Sequence, residues 1–245
     1  MRRAIRAGTV DTMTDTYTAA IITPTEPPFS RPIRRTVAGC LAAAAVLCAV
    51  PQYAERLVAG DLERADQIAW GIAHQGFYRV EWLAAMVGSI LLLIGFLGLW
   101  QITRWSTPKL TAVGAVVLTW GMSGQIFSEV ATYTAGVVTA DVLGPADAER
   151  VIADGYLRDP GMIAIVLVPV IAGMFVGLML LTVSLWRSSF PRVPVVLLAL
   201  WPLWDFFGPS QLGPFTADLF LLVSGVWLGV VVARLPHSRW LGRDA

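Results

Sequence analysis

Apolar residues fill six long segments of this chain, and the polar residues collect between them. Most of these segments are close to the ~20 residues with which an α-helix crosses a hydrocarbon core of ~30 Å. The pattern therefore predicts an all-α integral membrane protein whose six transmembrane helices form three hairpins. The predicted spans are 36–53, 80–103, 110–138, 161–186, 193–207 and 215–233.

The fifth segment is the shortest, and it contains Pro194 and Pro202. It is either a span that its aromatic end completes, or a broken and partly re-entrant segment. The aromatic end comprises Trp201, Trp204, Phe206 and Phe207. The sequence leaves both alternatives open.

The composition agrees with a fold whose solvent is lipid. Hydrophobic residues make up 56% of the 245 positions and charged residues 14%, which is more apolar than a soluble domain of this length. The net charge of +1 gives no support to nucleic-acid binding. Lys109 is the only lysine among 18 basic residues. This arginine bias indicates a bacterial genome of high GC content, and we therefore expect a bacterial plasma membrane.

Basic residues lie mainly on one side of the predicted spans. Thirteen of the 18 fall before the first span, in the second and fourth loops, or after the sixth span. Because short loops rich in arginine and lysine stay in the cytoplasm, both termini are predicted to be cytoplasmic. The remaining loops hold five arginines and most of the acidic residues, and they are predicted to be extracytoplasmic.

The spans divide the chain into one membrane domain and two tails. Residues 1–33 are predicted to be a disordered cytoplasmic tail, residues 34–236 the six-span domain, and residues 237–245 a cytoplasmic C-terminal tail. Short amphipathic helices are expected in two extracytoplasmic loops. One covers 61–74, and the other begins at Pro145 and stops at Gly155.

Two similar phrases precede the second and fourth spans, Gly-Phe-Tyr-Arg at 76–79 and Gly-Tyr-Leu-Arg at 155–158. An aromatic-x-Gly-aliphatic step also recurs in the second, fourth and sixth spans. Either a duplication produced related hairpins, or these abundant residues coincide by chance. In both cases five glycines are predicted to let helices approach closely. They are Gly98, Gly173, Gly177, Gly225 and Gly229.

One stretch of the chain resembles a known family. It runs from Ala-Asp-Gln-Ile at 65–68 through Phe-Tyr-Arg at 77–79 to Leu-Trp at 99–100. It is similar to a family of uncharacterised bacterial multi-pass membrane proteins, described only as a domain of unknown function. The resemblance implies a polytopic helical fold, and it implies no activity, substrate or functional residue.

Four carboxylates lie at or inside the ends of predicted spans, where a charge is costly and marks a candidate functional site. They are Glu81, Glu129, Asp205 and Asp218. All four fall toward the predicted extracytoplasmic leaflet, which allows an acidic vestibule there. Glu81 and Asp218 lie at helix starts, where the helix dipole accommodates a negative charge. Asp205 lies near a helix end, where the dipole opposes it, so it needs a cation or a proton.

A polar stripe surrounds Glu129 on the outer half of the third span. Gln125, Thr132 and Tyr133 share its helical face. This stripe either lines a wet cavity or only forms hydrogen bonds with neighbouring helices.

Arg79 and Arg158 lie just before inward-running spans, at matching depths if the repeat is real. We expect at least one of them within about 4 Å of Asp205 or Glu129. A salt bridge of this kind would favour a role in locking the helices. Two carboxylates that face a cavity without arginine would favour passage of a cation or proton.

The chain contains no motif for a known enzymatic chemistry. His74 and His237 are predicted on opposite sides of the membrane. Cys40 and Cys48 are eight residues apart in one predicted helix, too far to pair. We therefore expect no metal site and no cofactor, and an enzyme would have to act without a recognisable motif.

Functions from different classes remain open. The first expectation is a non-catalytic membrane partner or subunit, whose glycine-lined helices dock on another membrane protein or on a second copy of the chain. The alternative is transport of a small solute, cation or proton through the extracytoplasmic acidic vestibule. A membrane enzyme is the second alternative.

Overall fold

The computed structural model describes residues 30–59, 70–153, 159–188, 190–207 and 213–240. Within these ranges the chain is helical and has no β-strand, which confirms the predicted all-α fold class. The helices are α1 Ser30–Ala59, α2 Gln75–Thr103, α3 Pro108–Val142, α4 Pro145–Ala153, α5 Pro160–Arg187, α6 Arg192–Phe207, α7 Gly213–Arg234 and α8 His237–Trp240.

Five of these helices, α1, α2, α3, α5 and α7, are long and apolar enough to cross a membrane. Helix α6 coincides with the fifth predicted span and has 16 residues. At 1.5 Å per residue it is about 24 Å long, shorter than the hydrocarbon core. It runs through Pro202 as one helix. The protein is therefore an all-α multi-pass membrane protein, and six is an approximate count of its spans.

The six long helices form a closed ring. Each packs mainly against two neighbours in the order α1, α2, α3, α5, α6, α7 and back to α1. The three predicted hairpins are present as the pairs α1–α2, α3–α5 and α6–α7. Helix α1 also packs extensively against α7. Contact between the first and last spans is what closes the ring.

Small residues let α3 and α5 pack backbone to backbone. A Cβ atom built on Gly173 of α5 would collide with the backbone of Gly121 on α3. A Cβ atom on Gly177 would lie 2.7 Å from the Cα atom of Leu118. No side chain larger than hydrogen fits at either glycine without moving a helix.

Glycines also lie at the contacts of α1 with its two neighbours. On α7, a Cβ atom at Gly225 would lie 2.6 Å from the Cβ of Ala45, and one at Gly229 would lie 2.7 Å from a backbone oxygen of α1. On α2, a Cβ atom at Gly98 would collide with the side chain of Val37. The structure thus places all five predicted packing glycines at contacts within the chain.

Helix α5 is irregular in its middle. Two π-helical stretches, Ile163–Leu167 and Ala172–Gly177, flank the turn that contains Pro169. Pro169 has no N–H group to donate to the carbonyl of the preceding turn. Wide turns absorb such a defect, and they are frequent at functional positions in helices.

The loops and tails agree only partly with the sequence analysis. Helix α1 begins at Ser30, inside the predicted tail, because Pro32 fits the first turn of a helix. Helix α4 begins at Pro145 as predicted. Residues 1–29, residues 61–69 of the other predicted loop helix, and residues 154–158 lie outside the described residues.

The segment after α7 folds back onto the bundle. The side chains of Leu235 and Trp240 are buried in the main apolar core. Arg34 of α1 donates a hydrogen bond to the Leu235 carbonyl at 2.7 Å, and Arg239 donates to the Ser188 carbonyl at 3.2 Å. Part of the predicted C-terminal tail therefore covers one end of the ring.

Candidate functional site

The ring encloses a cavity of about 130 Å³. All six helices of the ring contribute to its wall, so the site depends on ring closure. The cavity lies in the half of the bundle that leads to the α1–α2 and α6–α7 connections. Its polar lining consists of Cys48, Gln52, Ser89, Gln125, Glu129, Asp205 and Asp218.

Three of the four predicted carboxylates line this one cavity. Glu129 on α3 is 7% exposed and Asp218 on α7 is 6% exposed, whereas Asp205, near the end of α6, is exposed. Glu81 is buried near the start of α2 and does not belong to the lining. The carboxylates thus run from an exposed position to two buried ones.

Side-chain amides hold both buried carboxylates. The amide nitrogen of Gln125 donates to Oε1 of Glu129 at 2.6 Å, one turn along α3. With its nitrogen turned toward α7, the amide of Gln52 donates to both oxygens of Asp218 at 2.9 and 3.0 Å. The hydrogen bonds from Gln52 to Asp218 link α1 to α7, the two helices whose contact closes the ring.

The second carboxylate oxygen of Glu129 differs from the first because no donor among the described residues satisfies it. Oε2 is buried, and within the described residues it has no hydrogen-bond partner. A buried carboxylate oxygen without a donor is costly, and natural structures keep few of them. Glu129 lines the cavity, so a ligand there would lie next to the residue whose second oxygen has no donor among the described residues.

The described residues that line the cavity include no lysine, arginine or histidine. In a medium of low dielectric constant, the negative field of several carboxylates is only weakly screened. The cavity is therefore suited to a positively charged occupant. Among the described residues, no group of three His, Cys, Asp or Glu side chains is close enough to hold a metal ion.

Arg79, one of the two predicted arginine partners, lies away from the cavity. The guanidinium of Arg79 is 2.6 Å from Asp141, so Arg79 is paired outside the cavity. The reason is that α3 continues to Val142, which brings Asp141 level with the start of α2. Arg158 lies outside the described residues, so the prediction that one of the two arginines approaches Asp205 or Glu129 stays a prediction. Tyr133 is half-buried and is not part of the lining.

Sequence reasoning missed three polar residues of the wall, Cys48, Gln52 and Ser89. Cys48 lines the same cavity as Glu129 and Asp218. Cys48 and Gln52 are four residues apart and share one face of α1. That spacing was a usable signal for a polar face on the first span.

Large apolar side chains close the inner end of the cavity. Leu92, Met122 and Leu221 form part of its wall. The next layer of the core is fully buried and comprises Phe96, Leu118, Leu178 and Leu198. In this conformation the apolar layers separate the cavity from the end of the bundle that α8 covers.

The chain matches no family model, no curated protein and no solved structure. The resemblance of its second span to a family of bacterial multi-pass membrane proteins stays an expectation. The interpretation of the cavity therefore rests on its geometry and chemistry.

Proposed function

We propose that this protein transports a small cation across the membrane and binds it in the cavity of the helix ring. The observation that carries the proposal is the buried Oε2 atom of Glu129, which lines the cavity and has no donor among the described residues. A carboxylate inside a membrane bundle is expensive, and it is kept where it serves an ion or substrate pathway. A bound cation would supply the missing partner.

The shape of the cavity supports transport over simple binding. The apolar layer beneath the cavity separates it from the opposite end of the ring, as an outward-facing state of alternating access requires. Helix α5 contributes Val170 and Met174 to the wall, next to Pro169 and the π-helical stretches. Broken or irregular helices beside the substrate are a recurring device of secondary transporters.

The alternative of a membrane subunit loses part of its basis. It rested on glycine-lined helices that dock on another protein. The same glycines are in contact with other helices of this chain, for example Gly173 with Gly121. The enzyme alternative gains no support either, because the lining contains no arrangement typical of a known chemistry.

The proposal includes an orientation, with both termini in the cytoplasm of a bacterial cell and the cavity facing the outer side. It rests on the distribution of arginine and lysine along the chain. Reporters fused after Ala245 or inserted at residues 107–109 are expected to read cytoplasmic. A reporter near Gly144 is expected to read external, and a cytoplasmic signal there would overturn the orientation.

The transport proposal is tested by charge movement in liposomes. The purified protein is expected to give a transient current when the outer solution is switched to at least one of sodium, potassium, ammonium, an alkylammonium salt or acid. Protein-free liposomes give the background current. The variant Asp147→Asn, on α4 and away from the cavity, controls for loss of a surface charge. No current above background in any solution would contradict transport.

A further inference from the structure

We infer that the cation is a small organic ammonium ion and not a bare metal ion or a proton alone. This inference rests on the proposed function and deepens it by naming the class of substrate. Three observations carry it, namely the volume of the cavity, the mixed character of its wall and the arrangement of its carboxylates.

The volume fits a compact organic ion. At about 130 Å³ the cavity is slightly smaller than the engineered cavity of about 150 Å³ that binds benzene. It can therefore hold an occupant of roughly five or six heavy atoms. A bare alkali ion would leave most of this space to water, next to walls that are partly apolar.

The wall combines hydrogen-bond acceptors with soft apolar surfaces. Trp201 and Phe206 of α6 contribute aromatic side chains, and Met122 and Met174 contribute thioethers. Aromatic faces attract alkylammonium groups, which are large and weakly hydrated. An alkylammonium ion can contact these apolar groups and still direct an N–H group at a carboxylate.

The carboxylates are distributed in a way that suits one hydrogen-bonded cation. Glu129, Asp205 and Asp218 come from three different helices, and within the described residues no three His, Cys, Asp or Glu side chains cluster as a metal site. Hard divalent cations need six or more oxygen ligands at short range. An ammonium group needs only a few acceptors, and Oε2 of Glu129 has no donor among the described residues.

The test compares ligands of equal size and different charge. The midpoint of thermal unfolding of the full-length protein in detergent is measured with tert-butylammonium chloride, tert-butanol, potassium chloride, sodium chloride and tetrabutylammonium chloride. Ligands that bind the folded state raise this midpoint. We expect tert-butylammonium to act at a concentration about tenfold lower than sodium or potassium, and tert-butanol to have no effect.

A second measurement locates the binding site. In the variant Cys40→Ala, the remaining Cys48 is treated with methyl methanethiosulfonate, a small neutral thiol reagent. Tert-butylammonium is expected to slow the modification of Cys48, because the thiol lines the same cavity. Tetrabutylammonium, too large for the cavity, is expected neither to slow it nor to raise the unfolding midpoint.

The outcomes separate the two proposals. Equal stabilisation by sodium or potassium would overturn the ammonium assignment and leave cation transport standing. Stabilisation by tert-butanol would show that the size of the ligand alone determines binding, and it would also overturn the ammonium assignment. If none of the salts changes the unfolding midpoint, and no current is seen in liposomes, both proposals fail together.

Discussion

The substitution Gly173→Val is expected to lower the free energy of unfolding by about 3 kcal/mol or more, because it forces α3 and α5 apart. A Cβ atom at position 173 would collide with the backbone of Gly121, which no rotamer change can relieve. A side chain that meets backbone must displace a whole helix. Since every helix of the ring lines the cavity, the substitution should also abolish the current in liposomes.

Gly39→Val is the matched control for this prediction. Gly39 also lies within a spanning helix, but a Cβ atom built there meets no other atom within 4 Å. The two variants introduce the same side chain and the same β-branching into a helix. Thermal unfolding and limited proteolysis in detergent compare them directly. Equal stability of the two variants would show that the α3–α5 contact does not hold the ring together.

The substitution Glu129→Gln is expected to remove the response to cations and to leave the protein at least as stable as before. Glutamine keeps the shape of the side chain, and its oxygen can still accept the hydrogen bond from Gln125. It removes a buried negative charge, which is costly in the absence of a ligand. We expect a loss of at least about tenfold in the apparent affinity for the cation.

Loss of the cation response together with unchanged or higher stability distinguishes a functional carboxylate from a structural one. A residue that only locks helices together would cost stability when it is changed, whereas a binding residue often costs stability while it is present. The control is Glu149→Gln on α4, outside the cavity lining, which should change neither property. A clear loss of stability in Glu129→Gln with a normal cation response would assign Glu129 to packing.

The apolar segments and their packing glycines could be predicted from the sequence because a lipid environment permits few kinds of structure. A spanning helix must be long and apolar, and close approach of two helices requires small residues, as at Gly225 and Gly229. The carboxylates were also readable, since any charge in such a segment stands out. The positions of Glu129, Asp205 and Asp218 at one level followed from the alternating direction of the helices.

The sequence did not predict the contact that closes the ring, and it did not predict the complete lining of the cavity. In water a helix shows its buried face by its apolar stripe, but in lipid both faces are apolar and the stripe disappears. The partner of Arg79 was missed for a related reason. The apolar run of the third span ends at residue 138, while the helix continues far enough to present Asp141.

The hydrogen bond between Arg34 and the Leu235 carbonyl joins positions 201 residues apart. During synthesis, the partners of α1 therefore emerge from the ribosome at very different times, α2 at once and α7 only after all the other spans. Until α7 is inserted, one face of α1 remains exposed to lipid, and the cavity is open on that side. Assembly of this protein is thus completed by its last span, so truncation before residue 213 would leave a partial bundle instead of a smaller working unit.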